Sequence, residues 1–310
     1  MKPFKPTLAE DIPDDHPLRP GWVSPKMDGM RLALYDGRVN TRNLLTPANV
    51  HVAKLLSAPE LQGLDGEVLI KDATDPDVFW ETMSAMKRFA GEPDITFNVF
   101  DFIDPVLPWE LRHAQYRSRV ERLQEKFPFL RATPQYHVNG MADLLSFEAE
   151  FLAQGYEGIM YRAEGTRYKF GRSTLRDGVL LRRKPFVDIE ARITGFYEQK
   201  ENQNEAFINE LGRTQRSSHE ANKVGKNTLG GFLMTTIDQH GWPGNKDFRC
   251  GNGCDGFLTD AKRLALWNTR DSLVGQIATV SVMKYGSVDG TPRFPKIRAI
   301  RPTEDLPRGS

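Results

Sequence analysis

The sequence predicts an α+β chain in two parts, a mixed first part and a smaller second part built almost entirely of strands. Up to about residue 188, period-two apolar stretches alternate with helix-period stretches. Beyond it, strands broken by glycine and proline take over, with a single helical segment. A length of 310 residues also suits two domains better than one. The domains are placed at residues 1–188 and 189–305, and the terminal LPRGS, residues 306–310, looks like a protease-site scar left by expression.

The elements follow in order. WVSPK (22–26), MRLALYDG (30–37) and RVNT (38–41) are short strands around Asp-Gly turns. PANVHVAKLLSAP (47–59) predicts a short helix, and GLDGEVLI (63–70) a strand entered from a turn. PDVFWETMSAMKRFAG (76–91) has helical spacing between Pro76 and Gly91. ITFNVFDFI (95–103) alternates and is rich in aromatic and β-branched residues, so it is a strand. PWELRHAQYRSRVERLQEKF (108–127) and NGMADLLSFEAEFLAQG (139–155) are helical, the second closing on Gly155 as its C-cap. YEGIMYR (156–162) and GVLLRRKP (178–185) are strands, and the strands of this part are expected to pair mostly as meanders. In the second part IEARITGFYE, GGFLMTTI, KDFRC, IATVSVMKYG and PRFPKIRAI are strands, and DAKRLALWNTR is a helix capped by Thr259. Five strands and one helix over about 115 residues fit a small barrel of OB type. The polar stretch at about residues 200–227 is expected to be a mobile excursion from it.

Composition excludes several classes. Hydrophobic residues are 39% and charged residues 27%, ordinary for a globular protein with a real core. No apolar run reaches the roughly 20 residues of a membrane span, and the N-terminus lacks an apolar signal core. A cytoplasmic monomer is expected. The two cysteines, in CGNGC (250–254), lack the further ligands of a zinc site and are expected to be reduced. Net charge is +1, split as −2 before residue 189 and +3 after it, so a polyanion would have to meet a local patch. The clearest patch is Arg162–Lys184, with eight basic residues against two acidic ones.

The chemistry-bearing stretches begin with KMDGMR. Lys26 lies in a turn flanked by Val23 and Pro25, followed by Asp28, Gly29 and Arg31. An amine attacks only when deprotonated, a state that burial or neighbouring cations favour, and Arg31, Arg182, Arg183 and Lys184 are the candidate cations. Gly29 is expected to let the backbone approach a phosphate. LDGE offers Glu67, and VFDF offers Phe100 to stack on a base. EGIMYR offers Glu157 and Arg162, five apart, so they share a face only if the strand bends or ends there. LLRRKP puts Arg182 and Lys184 on one face.

In this order, KMDGMR, DGE, FDF, EGIMYR and LLRRK resemble the motifs of the covalent nucleotidyltransferases, and with an OB-like part behind them the chain most resembles the small ATP-dependent DNA ligases of bacteriophages. The resemblance implies an N-terminal adenylation domain of antiparallel sheets and helices followed by an OB-fold barrel. It implies ATP as cofactor with Mg²⁺, or Mn²⁺ in its place, and nicked duplex DNA as partner. It assigns Lys26 as the residue that forms lysyl-AMP, with Asp28, Arg182 and Lys184 beside it in catalysis. Arg31, Glu67, Phe100, Arg162 and Lys184 would hold the nucleotide, and Glu67 and Glu157 the metal. Arg42 would lie near the ribose and the nick phosphate. Arg172, Arg213, Arg216, Lys223, Lys226 and Arg293 are candidate DNA contacts, with Lys296 and Arg298 a looser match to the last basic motif.

Three departures and two alternatives accompany this reading. Ser24 stands where many ligases carry a glutamate that reads the adenine amino group, which leaves adenine selection to backbone groups. Arg162 and Arg182 stand where lysine is common, keeping charge and adding fork geometry. The alternatives are an RNA ligase or capping guanylyltransferase on the same scaffold, and a nucleic-acid-binding module without catalysis. By resemblance alone, the two domains would hinge near Pro185–Glu190.

Overall fold

The computed structural model describes residues 4–239, 242–283 and 288–301. The LPRGS segment and the last three residues of IATVSVMKYG lie outside them. The chain divides into two compact units, Met1–Lys184 and Pro185–Ser310. The first strand of the second unit, Phe186–Asn202, runs unbroken through residues 188 and 189.

The first unit contains β1 (Glu10–Asp11), β2 (Gly21–Lys26), β3 (Met30–Tyr35), β4 (Arg38–Thr41), β5 (Leu64–Leu69), β6 (Thr96–Phe102), β7 (Leu130–Ala132), β8 (Tyr136–Val138), β9 (Gly158–Ala163) and β10 (Leu181–Arg183). Its helices are α1 (Val50–Leu56), α2 (Val78–Lys87), α3 (Trp109–Leu123) and α4 (Met141–Gln154). Asn49 caps α1 by accepting from the Val52 amide at 2.9 Å, and Gly155 ends α4 at φ 98°, a conformation glycine adopts without a Cβ penalty.

Two five-stranded sheets result, ordered β4-β3-β5-β6-β7 and β1-β10-β9-β2-β8. The first is largely the expected meander: β3 turns into β4 through Asp36-Gly37 and pairs with β5, and β5 pairs with β6. Its inward faces, including Leu32, Leu34, Val68, Phe97 and Val99, bury against Val52, Leu56, Met86, Trp109 and Tyr116 of the helices. Burying side chains of this size contributes about 1.5–3 kcal/mol each.

The second sheet corrects the meander expectation. β2 lies between β8 and β9, partners more than 100 residues away, and two pairings in the unit are parallel, β1 with β10 and β6 with β7. β1, β7 and β8 are only two or three residues long, too short to show a period.

The second unit contains β11 (Phe186–Asn202), β12 (Ala206–Ile208), β13 (Thr214–Arg216), β14 (Lys223–Thr236), β15 (Asp247–Cys250), β16 (Asn252–Gly253), α5 (Asp260–Asn268), β17 (Ile277–Met283) and β18 (Arg293–Ile300). Six strands form a sheet ordered β15-β14-β11-β17-β18-β16, and β15 also packs against β18, so the sheet curls around its apolar core. Among the described residues the ring of hydrogen-bonded strands is not closed. Thr259 caps α5 as expected, accepting from the Lys262 amide at 3.2 Å.

The segment expected to be a mobile excursion is a β-structured arm. β11 and β14 extend as a bulged ribbon to Asn202 and Lys223, and a β12–β13 hairpin caps it. Buried Asn204 ties the arm together by donating to the Ser217 and His219 carbonyls. Polarity misled the reading here, because a ribbon closed by side-chain-to-backbone bonds needs little apolar surface.

Candidate functional site

A cavity of about 400 Å³ opens in the first unit, within the size range of small-ligand sites. Lys26 and Ser24 reach it from β2, Met160 and Arg162 from β9, Glu67 from β5 and Phe100 from β6. Each pair lies two apart on its strand and so shares a face. Of the residues singled out from the sequence, Lys26, Arg31, Arg42, Glu67, Phe100, Arg162 and Arg182 line this one cavity.

Lys26 ends β2, and its amine is ion-paired with the Glu157 carboxylate. Glu157 precedes the first residue of β9, at the strand end, so it and Arg162 escape the alternation that would separate them. The Lys184 amine lies 3.8 Å from the other Glu157 oxygen, so one 4%-exposed carboxylate serves both lysines. Burial lowers Lys184, with Lys26 and Arg182 adding to the effect and Glu157 opposing it. The neighbour that Lys26 meets is thus a carboxylate, shared with one of the expected cations. Arg183, another expected cation, pairs instead with Asp14 at 2.7 Å and Glu148 at 3.2 Å and does not line the cavity.

Gly29 lines the cavity and is also constrained from behind. A Cβ there would lie 2.3 Å from the Val68 carbonyl oxygen, so glycine is required by the close approach of the turn to β5. That approach lets the Gly29 amide donate to Glu67 at 3.2 Å. Asp28 is buried beside the cavity without lining it.

Two buried aspartates fix the cationic floor. Asp65 grips Arg31 with both oxygens, Nε at 2.9 Å and Nη2 at 2.5 Å, and Arg31 also donates to the Thr7 carbonyl. Burial opposes the Arg31 charge, but Asp65 outweighs it and raises the guanidinium further. Asp101 accepts from Arg112 at 2.8 Å and Arg162 at 3.0 Å, and these arginines outweigh burial to hold it below the usual carboxylate range. Arg31 and Arg162 stand 5.3 Å and 5.7 Å from the Phe100 ring centre.

Burial pushes Glu67 up to about 8, against the pull of Lys26 and Arg31 and with help from Glu157 and Asp28. The folded chain therefore holds a proton that the unfolded chain loses above its ordinary value of 4.5. Stability from this group is complete below that value and falls as pH rises toward 8. Glu67→Gln is expected to flatten that part of the pH profile of the urea midpoint. An unchanged slope in the variant would place the titration elsewhere.

The cavity rim is cationic. Partial burial, then Arg182, Arg172 and Arg31 in turn, lower the exposed Arg42. Arg182 is held by Asp11 at 2.7 Å, and Arg172, at 51% exposure, lies 3.7 Å from Glu10. On the arm of the second unit, Arg213 and Lys226 are exposed, Lys223 pairs with Glu220 at 2.7 Å, and Arg216 donates to the Asn204 carbonyl. Arg293 departs from the expectation of a surface contact: it is 6% exposed, and its guanidinium lies 5.1 Å from the Phe294 ring. Lys296 is exposed, its amine 5.0 Å from the Phe186 ring centre, and Arg298 is engaged by Asp188 and Asp255. Cys250 and Cys254 are not joined in a disulfide, and no cluster of three or more metal-ligating side chains occurs among the described residues. Among the described residues no helix is long and apolar enough to cross a membrane.

Sequence reasoning missed Phe79 and Met83 of α2, and Thr133 and Met160, all of which line the cavity. Apolar and hydroxyl side chains carry no motif. The one available signal was register, since Met160 lies two residues before Arg162 and opposite Ser24.

Comparison with known proteins points to one class: the chain resembles DNA ligases in sequence and in structure. No family model matches it. Among curated relatives, a probable DNA ligase of Anaeromyxobacter sp. (strain K) is 34% identical over 165 residues, covering 47% of this chain and 31% of that protein. The chain spans well under half the length of the curated relatives it matches, 31%, 38% and 33%. Among solved structures, a Chlorella virus DNA ligase-adenylate aligns at 25% identity and TM-score 0.54, over 97% of this chain and 99% of the other. A Lig E DNA ligase aligns at TM-score 0.66 and 22% identity, over 96% and 99%, which speaks to the fold.

Proposed function

We propose that this chain is an ATP-dependent DNA ligase that seals 5′-phosphate/3′-hydroxyl nicks through lysyl-AMP and DNA-adenylate. The observation that carries the reading is the convergence of Lys26, Glu157 and Lys184, from three separate stretches, on a cavity lined by Glu67, Phe100, Arg162 and Arg182. Such a site suits transfer of a nucleotidyl group, which demands alignment and neutralised phosphate charge around one nucleophile.

In this reading the Lys26 amine attacks the α-phosphorus of ATP, and pyrophosphate leaves with the bonding electron pair. Glu157 aims the amine and offers a carboxylate to take its proton. Lys184, Arg31 and Arg182 offset charge on the phosphate oxygens, and Phe100 stacks on the base. AMP then passes to the 5′-phosphate of the nick, and the 3′-hydroxyl attacks and releases it. The cationic rim of Arg42, Arg172 and Arg182 and the arm cations Arg213, Arg216, Lys223 and Lys226 would meet DNA phosphates, giving salt-sensitive binding with little sequence preference.

A divalent cation fits the residues present. Glu67 and Glu157 are hard oxygen donors, and the raised Glu67 marks a buried carboxyl without a full complement of cations. Two carboxylates are what Mg²⁺ commonly takes from protein when phosphates complete its shell. Glu67 and Glu157 would hold Mg²⁺, or Mn²⁺, which supplies Lewis-acid neutralisation of phosphate charge. The curled sheet of the second unit, with α5 packed on it, supports an OB-type assignment, and the chain is proposed to act as a monomer.

The test is sealing of a nicked duplex by purified protein with ATP and Mg²⁺. A joined strand is expected. Label taken up from α-labelled GTP but not ATP would move the chain to the capping branch, and joining of RNA nicks alone would make it an RNA ligase.

A further inference from the structure

Thr133 lines the cavity at 3% exposure, yet its hydroxyl is one of the few buried side-chain polar atoms with no hydrogen-bond partner. A buried hydroxyl left unpaired costs about 1–3 kcal/mol, so its persistence calls for a ligand. Its place in the fold says which part of a ligand. The Thr133 amide donates to the Val99 carbonyl at 2.8 Å, and Val99 adjoins Phe100, the cavity's aromatic platform. The Tyr116 hydroxyl donates to the Thr133 carbonyl at 3.1 Å, which pins the residue from behind. The cations that suit phosphate, Lys26 and Arg182, come from other strands. Phe100 and Thr133, which both line the cavity and whose backbones are joined through Val99, offer a flat face and a polar atom to a ring, with Arg31 and Arg162 at 5.3 Å and 5.7 Å from the Phe100 ring centre. Ser24, 2% exposed, also lines the cavity.

Resting on the nucleotidyltransferase reading of the site, we infer that the Thr133 hydroxyl reads the base, accepting a hydrogen bond from the 6-amino group of adenine. It is the specificity-determining side chain in a cavity that has serine at position 24. The hydroxyl is a donor as well as an acceptor, so it rewards a 6-amino group over a bare carbon strongly and over a 6-oxo group weakly. Selection of ATP over GTP by this contact is correspondingly modest.

The experiment compares self-labelling with ATP and with purine riboside triphosphate, which lacks only the 6-amino group. Wild-type protein is expected to favour ATP by roughly tenfold in kcat/KM, the worth of one buried hydrogen bond. Thr133→Val should shrink that preference to about twofold or less, and Thr133→Ser should restore it. Valine keeps the shape and removes the unpaired hydroxyl, so the urea midpoint of the variant should not fall. A preference that survives in Thr133→Val overturns the inference while leaving the nucleotidyltransferase reading intact. Equal loss with both nucleotides, accompanied by a lower midpoint, also overturns it, since the hydroxyl would then serve the fold. Absence of label from either nucleotide in wild-type protein sinks the nucleotidyltransferase reading, and the inference with it.

Discussion

Lys26→Ala is expected to lose self-labelling from ATP by roughly 10⁴-fold or more, as removal of a sole covalent nucleophile does. Lys26→Arg should fare no better. It keeps the charge and the ion pair with Glu157, but a guanidinium is not deprotonated in proteins and offers no nucleophile. The two variants together separate the chemical role of the amine from its structural one. A nick that already carries AMP on its 5′-phosphate bypasses the step, so both variants should still join it at a measurable rate. Label appearing on Lys26→Ala at near wild-type rate would sink the mechanism.

Asp101→Ala carries the largest expected cost in stability, about 3–5 kcal/mol, because it strands two buried guanidiniums. Arg112 is fully buried and Arg162 is 4% exposed in its side chain, and Asp101 is the carboxylate that pairs with both. Arg162 also lies 4.6 Å from the Trp109 ring centre and lines the cavity. The substitution should therefore lower the urea midpoint of the first unit and weaken ATP binding together. The depressed Asp101 adds a pH signature: its stabilisation is present above the ordinary carboxylate range and is lost as pH falls through its folded value. A midpoint within about 1 kcal/mol of wild type would mean that the arginines find other partners.

Much of this site was legible because its chemistry is carried by charged residues in short blocks. Lys26, Glu67, Phe100 and Arg182 were each visible beside a turn or within an alternating strand. What stayed hidden depends on pairing between distant segments. Glu157 was singled out as a metal ligand, but its ion pair with Lys26 was not visible, because only its place beside the start of β9 brings the two together. Asp101 stands beside Phe100 in the same quoted stretch, but its role needs Arg112 from α3 and Arg162 from β9. Arg293 looked like a surface cation because basic residues cluster around it, whereas its strand turns it inward. Thr133 left no trace, since an unsatisfied hydroxyl is a property of surroundings.

Strand β2, flanked on both sides in its sheet, waits for partners made late. Lys26 and Glu157 are separated by 131 residues, and β9 must exist before β2 has a neighbour on that side. At about 5–20 residues per second, a ribosome needs roughly 7–26 seconds to cover that distance. Throughout that interval the nascent chain carries Lys26 without the carboxylate it pairs with. The β3–β4–β5–β6 meander has local partners and can condense first. The second sheet has no such route, and its closure is the step that brings the cavity-lining residues of β2 and β9 together.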